Sequence, residues 1–132
     1  VGKMKSLDQA IHDKLWSASA GFVGNDSVFE YRPMTETAYP FIDFQDFQTN
    51  FGSTKNGMTA TASATINIWD TKNNRKNVSD ICNDLIRKLL TTREFYGYPV
   101  AIKMSGTSFR IIKDTTVKPY IWRGLINLEF LV

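Results

Sequence analysis

Apolar positions near the start of the chain recur with helical spacing. Leu7, Ile11, Leu15, Ala18 and Phe22 fall on one side of a helix, and Ser6 followed three residues later by Gln9 is a capping-box signature for its start. The helix is predicted to end near Ala20, at Gly21 or Gly24. Its other face carries Asp8, His12 and Asp13, which puts His12 on water with Asp8 one turn away as its ion-pair partner.

From Val28 the pattern shortens to extended runs, Val28 to Arg32 and Pro40 to Phe51, separated by Pro33 and the Thr35-Glu36-Thr37 stretch. Gly52 to Gly57 supplies turn chemistry, with Asn56-Gly57 tolerant of positive φ, and Met58 to Asp70 then alternates with period two. A long hairpin is the expectation. Ala60, Ala62, Ala64, Ile66 and Ile68 share one face, while Thr59, Thr61, Ser63, Thr65 and Asn67 share the other. The small apolar face is predicted to lie close under a helix, leaving the hydroxyl face for solvent or another subunit. Trp69 is the odd residue on that polar face.

After a basic, Asn-rich connector from Thr71 to Lys76, the stripe Val78, Ile81, Cys82, Leu85, Ile86, Leu89 and Leu90 predicts a helix from Asn77 to Leu90. Asn77 or Asn74 is placed to cap it, and Arg87, Lys88 and Arg93 suit the negative end of its dipole. Cys82 lies inside the stripe and reads as a buried small hydrophobe. Three further strands are expected at Val100 to Ser105, Phe109 to Lys113 and Tyr120 to Val132. In the last, Ile126, Leu128, Phe130 and Val132 oppose Arg123, Asn127 and Glu129. The order predicts an α+β fold, a mostly antiparallel sheet with two helices packed on one face, as one domain over residues 1–132.

Composition narrows the functional classes. At 132 residues with 42% hydrophobic content the chain can bury a core without staples, and a lone Cys82 excludes an internal disulfide. His12 is the single histidine, which leaves little for a metal site. The net charge of +3 tolerates nucleic acid without demanding it. No apolar run is long enough for a membrane span and no signal-peptide zones open the chain, so a soluble cytoplasmic product is expected, with Met4 as a candidate native start. The sequons at Asn25 and Asn77 matter only in a secreted protein.

Catalytic signatures are missing: there is no phosphate loop, nucleophile elbow or paired Cys and His. Asp43 and Asp46 stand three apart in one predicted strand, hence on opposite faces, and cannot pair as acid and base without a bulge. Glu30 and Glu36 read as surface charges. A basic set, Lys72, Arg75, Lys76, Arg110, Lys113, Lys118 and Arg123, is interleaved with Phe109, Tyr120 and Trp122, the mixture a single-strand stacking platform needs. Asp114 and Glu129 interrupt it.

Several segments together carry a family resemblance: Ser6-Leu7-Asp8-Gln9-Ala10-Ile11, Val28-Phe29-Glu30-Tyr31-Arg32-Pro33, Tyr39-Pro40-Phe41-Ile42, Ala64-Thr65-Ile66-Asn67-Ile68-Trp69-Asp70, the helix from Asn77 to Leu90, and Trp122 to Phe130. In this order, over nearly the whole chain, they resemble the tail terminator or tail completion proteins of long-tailed bacteriophages, including head-tail joining and minor capsid proteins of similar length. The resemblance implies a structural virion protein, assembled in a bacterial cytoplasm, that forms a ring with copies of itself, six being the candidate number. It closes the tail tube at its head-proximal end and docks to the head connector or neck protein. It implies no reaction and no cofactor, with DNA contact confined to the lumen. A ring repeats one heterologous interface, so two different sticky faces are needed. Phe47, Phe51, Lys55, Met58 and Trp69 are the residues the pattern offers for subunit or tail contacts, since aromatics and Met favour interfaces. Another neck component and a small nucleic-acid-binding module remain the rival readings.

Overall fold

The capping serine starts the first helix. Ser6 Oγ accepts the Gln9 N–H at 3.1 Å, and α1 spans Leu7–Val23 in the computed structural model, which describes residues 5–55 and 57–132. Residues 1–4, the candidate start Met4 included, and Asn56 of the turn dipeptide lie outside the described residues, as do the side chains of Thr54 and Met58. The helix passes Gly21 and ends at Gly24, whose φ of 98° suits glycine and whose N–H bonds Ala20 O.

The remaining elements are β1 (Val28–Phe29), β2 (Phe41–Thr54), β3 (Gly57–Thr71), α2 (Arg75–Thr91), β4 (Glu94–Phe95), β5 (Tyr98–Pro99), β6 (Ala101–Ile102), β7 (Ser108–Asp114) and β8 (Ile121–Leu131). β2 and β3 form the expected antiparallel hairpin, and β8 lies antiparallel along β3 from Thr61 to Thr71. β7 and β6 pair with successive stretches of the outer edge of β8, and β1 adds a short parallel pair to β2 at Ile42 and Asp43. The class is the predicted one: a mostly antiparallel sheet with both helices on one face.

Two predicted strands are corrected. The run from Val28 leaves the sheet after Phe29 because Glu30 turns to His12 and Arg32 stacks on the Trp69 ring at 4.2 Å. The run from Val100 keeps only Ala101–Ile102 as strand before a 3-10 turn at Met104–Gly106, and the small β4–β5 hairpin before it was not foreseen.

The alternation along β3 decides the layering. Ala62, Ala64, Ile66 and Ile68 are buried beside Ile126, Leu128 and Phe130, under Leu15 of α1 and Leu85 and Leu89 of α2. Cys82 is buried as expected, and burial pushes its thiol up to about 12. The start of α2 departs from simple capping. Asn74 occupies the cap position without capping; its Nδ2 instead bonds Asp70 Oδ1 at 3.1 Å, while Asn77 Nδ2 bonds Asp70 Oδ2 at 2.8 Å. Asp70 also accepts the Thr71 N–H at 2.8 Å, so one buried carboxylate ties the end of β3 to the positive end of α2.

Gly124 lets α2 pack closely against the sheet. A Cβ there would stand 2.6 Å from Cys82 Sγ and 2.7 Å from Val78 Cγ1. Gly124→Ala is therefore expected to lower stability by about 1–3 kcal/mol through overpacking, seen as a reduced urea midpoint with an unchanged m-value.

Candidate functional site

A β-bulge in β2 organises the face that carries no helix. The register shifts between Phe44 and Asp46, so Gln45 is the extra residue. Asp43 stands opposite Asn67 and Asp46 opposite Thr65, which places both carboxylates on the same face, against the expectation of opposite faces. They still form no acid–base pair. Asp43 is buried, and its two oxygens accept Trp69 Nε1–H at 2.7 Å and Asn67 Nδ2–H at 2.8 Å, whereas Asp46 is exposed.

The network continues across three strands. Arg123 Nε donates to Asn67 Oδ1 at 2.8 Å and Arg123 Nη2 to Gln45 Oε1 at 3.0 Å, while Asn67 Nδ2 also reaches Gln45 Oε1 at 3.2 Å. Arg32 and Arg123 lie 4.2 and 5.4 Å from the Trp69 ring, and Arg32 reaches Asp114 at 3.5 Å. Every polar atom of the buried carboxylate is used, which is the condition for keeping such a group inside. The cluster therefore braces the sheet, with both oxygens of Asp43 engaged.

The same bulge turns Phe44 and Phe47 toward the helices. Both meet the His12 ring, at centroid distances of 5.5 and 5.4 Å, with Trp16 at 5.8 Å. His12 is thus half-buried over an aromatic floor and not on open water. Its partners are Asp13 Oδ1 at 2.9 Å and Glu30 Oε1, in place of the expected Asp8. Partial burial works against the imidazolium, but hydrogen bonds and charges from Asp13 and Glu30 outweigh it and raise its pKa. Asp13 is held down at about 2, chiefly by its hydrogen bond from Lys5 and then by His12.

The five interface candidates separate. Trp69 is 3% exposed, packed with Phe41 and Ile121 under Arg32. Phe47 is half-buried on the helix side. Phe51 is 68% exposed near the end of the hairpin, beside a surface groove with Leu7, Ala60, Tyr98 and Val132, and Lys55 is exposed at the turn. Met58 pairs with Ser53 in the strand register.

The basic candidates also divide. Arg123 belongs to the braced network, and Lys76 pairs with Asp80 at 2.7 Å. Lys113 lies 4.6 Å from the Tyr120 ring and 5.7 Å from that of Trp122, Arg75 lies 5.6 Å from Trp122, and Trp122 Nε1 bonds Lys72 O at 2.9 Å. Arg75, Lys113, Tyr120 and Trp122 thus form one basic and aromatic cluster beside the start of α2, which Lys72 joins through its carbonyl oxygen. Among the described residues no group of three or more His, Cys, Asp and Glu could hold a metal ion, and no helix is long and apolar enough to cross a membrane.

With this geometry in place, comparison with known proteins finds a shared fold. A chain in the virion structure of a native gene transfer agent particle superposes with a TM-score of 0.59 at 17% identity, covering 96% of this chain and 92% of that one. The likeness is one of fold. No protein-family model and no curated protein matches the chain.

Two outcomes follow from the site. Asp43→Ala strands the Trp69 and Asn67 donors and is expected to cost about 1–3 kcal/mol in urea unfolding, with a change in the near-ultraviolet signal of Trp69. The raised imidazolium contributes stability that is complete below its unfolded value of 6.5 and disappears as pH rises through the higher folded value. Urea midpoints at pH ~5.5 and ~8.5 should therefore differ less in His12→Gln than in the parent.

Proposed function

We propose that this chain is a structural virion protein that forms a ring at the head-proximal end of a phage-type tail tube, stops tube growth and presents the docking face for the head connector. The observation that carries this reading is the fold shared, over 96% of the chain, with a chain of a gene transfer agent virion. The tail-terminator resemblance of the ordered segments from Ser6 to Phe130 supports the finer role. Its partners are copies of itself, six being the candidate number, the tail-tube protein and the head connector or neck protein. The work is binding alone, without a reaction or a cofactor, and any DNA passes through the lumen. A neck component on the head side would use the same fold.

The physical properties suit an assembly part. The helix-free face is braced by the Asp43–Asn67–Arg123 network, so its surface is held rigid before any partner arrives. Phe51 offers an exposed aromatic anchor close to Lys55, and Met58 lies in the same hairpin end. Phe47 and Trp69 contribute from beneath, by fixing the hairpin against His12 and Phe41.

A second reading has its own observation. The cluster of Arg75 and Lys113 around Tyr120 and Trp122 is the arrangement a nucleic-acid surface would use.

Light scattering across a concentration series, with negative-stain images of the same sample, tests the first reading. The expected result is a mass several times 15.0 kDa and ring-shaped particles. Phe51→Asp and Lys55→Glu should each shift the chain toward the monomer with an unchanged far-ultraviolet spectrum. Salt-dependent retention on DNA, lost in Arg75→Glu/Lys113→Glu, with a monomeric mass throughout, would favour the second reading instead.

A further inference from the structure

A ring needs two different surfaces on each copy, so a face that joins one neighbour must be matched by a second face for the other. The sheet has two free edges. β1 covers β2 only at Ile42 and Asp43. Beyond the bulge, from Asp46 to Ser53, the outer side of β2 has no strand partner among the described residues. At the other side of the sheet, β7 pairs inward with β8 and, among the described residues, carries no outer strand from Ser108 to Asp114. An unpaired strand edge is a template for another strand, and chains that stay monomeric blunt such edges with lysine, proline or a covering loop. The stretch of β2 from Asp46 to Ser53 contains neither lysine nor proline.

Strand direction makes these two edges compatible. The order β2, β3, β8, β7 is antiparallel at every step, so β2 and β7 run in opposite directions. Rotation about an axis along the strands preserves direction. The β2 edge of one copy then meets the β7 edge of the next as an antiparallel pair, without inverting the subunit.

Charge distinguishes this joint from self-pairing. On the helix-free face, Asp46 stands at the β2 edge and Arg110 at the β7 edge, both exposed and neither in an ion pair among the described residues. Asp114, the other charge of β7 on that face, is already paired with Arg32 at 3.5 Å, and Lys113 lies on the helix side. Joining β7 to β7 would bring two Arg110 side chains together, whereas β2 against β7 sets Asp46 near Arg110. We propose that successive copies join edge to edge, the outer side of β2 beyond Asp46 pairing with the outer side of β7 of a second copy. This inference rests on the ring reading and names its interface.

Paired single-cysteine substitutions test it, because Cys82 is buried and leaves the surface free of thiols among the described residues. Chains carrying one cysteine on each edge, Gln48→Cys or Asn50→Cys with Arg110→Cys or Ile112→Cys, would be treated with a short bifunctional thiol linker and run on a denaturing gel. The expected result is a ladder of covalent multimers from at least one pairing, and none from chains with a single edge cysteine. Amide hydrogen exchange of the unmodified chain supplies a readout independent of the variants. Protection of Asp46 to Ser53 and of Ser108 to Asp114 should rise together as concentration drives assembly. A ring by light scattering without ladder and without edge protection would overturn the edge joint while leaving the ring reading intact. Covalent dimers from a β2 cysteine alone would overturn it in favour of a two-fold joint. A mass fixed at 15.0 kDa at every concentration would remove both the joint and the ring.

Discussion

The period-two alternation of β3 is the constraint on which the rest of the molecule depends. The strand is paired by β2 on one side and by β8 on the other from Thr61 to Thr71, so a slip of one residue would expose Ala62, Ala64, Ile66 and Ile68 together. That penalty holds the register. It also divides the molecule into a side that packs two helices and a side left for polar bracing. The single departure, the extra residue Gln45 in β2, lets Phe44 and Phe47 both serve the helix side while Asp43 and Asp46 both serve the other.

Two buried carboxylates perform the polar organisation at a distance from each other in the fold. Asp70 gathers Asn74, Asn77 and the Thr71 N–H, and so fixes where α2 leaves β3. Asp43 gathers Trp69 and Asn67, and through Asn67 the guanidinium of Arg123. Each is saturated by neutral N–H donors or by groups that lead to a cation, which offsets the cost of removing it from water. Neither resembles a reacting acid. In the proposed assembly role this use of charge leaves less surface to be ordered on binding.

The parts that were legible in the sequence are those set by local pattern. Ser6 and Gln9, the alanine run of β3 and the apolar stripe of α2 each state a period that the packing then respects. The bulge at Gln45 has no such signature, since a polar residue between Phe44 and Asp46 reads as ordinary alternation. His12 was misplaced as a consequence: its neighbours Phe47 and Glu30 reach it through the bulge and through the early end of β1. Trp69 did carry a signal, as the odd large residue on a hydroxyl face, but its acceptor Asp43 lies 26 positions away. Of the basic set, Arg75 and Lys113 meet at the Trp122 ring, whereas the donors of Arg123 are taken by Asn67 and Gln45.

The central claim is that this chain is built into a virion at the head-proximal end of a tail. Cryo-electron microscopy of tailed particles assembled with the chain present tests it most directly. The account predicts a ring of density at the junction of tail tube and neck into which the six-stranded sheet and its two helices fit as repeated copies. Complete particles in which that junction is filled by other chains, with this one absent from the purified virion, would contradict it.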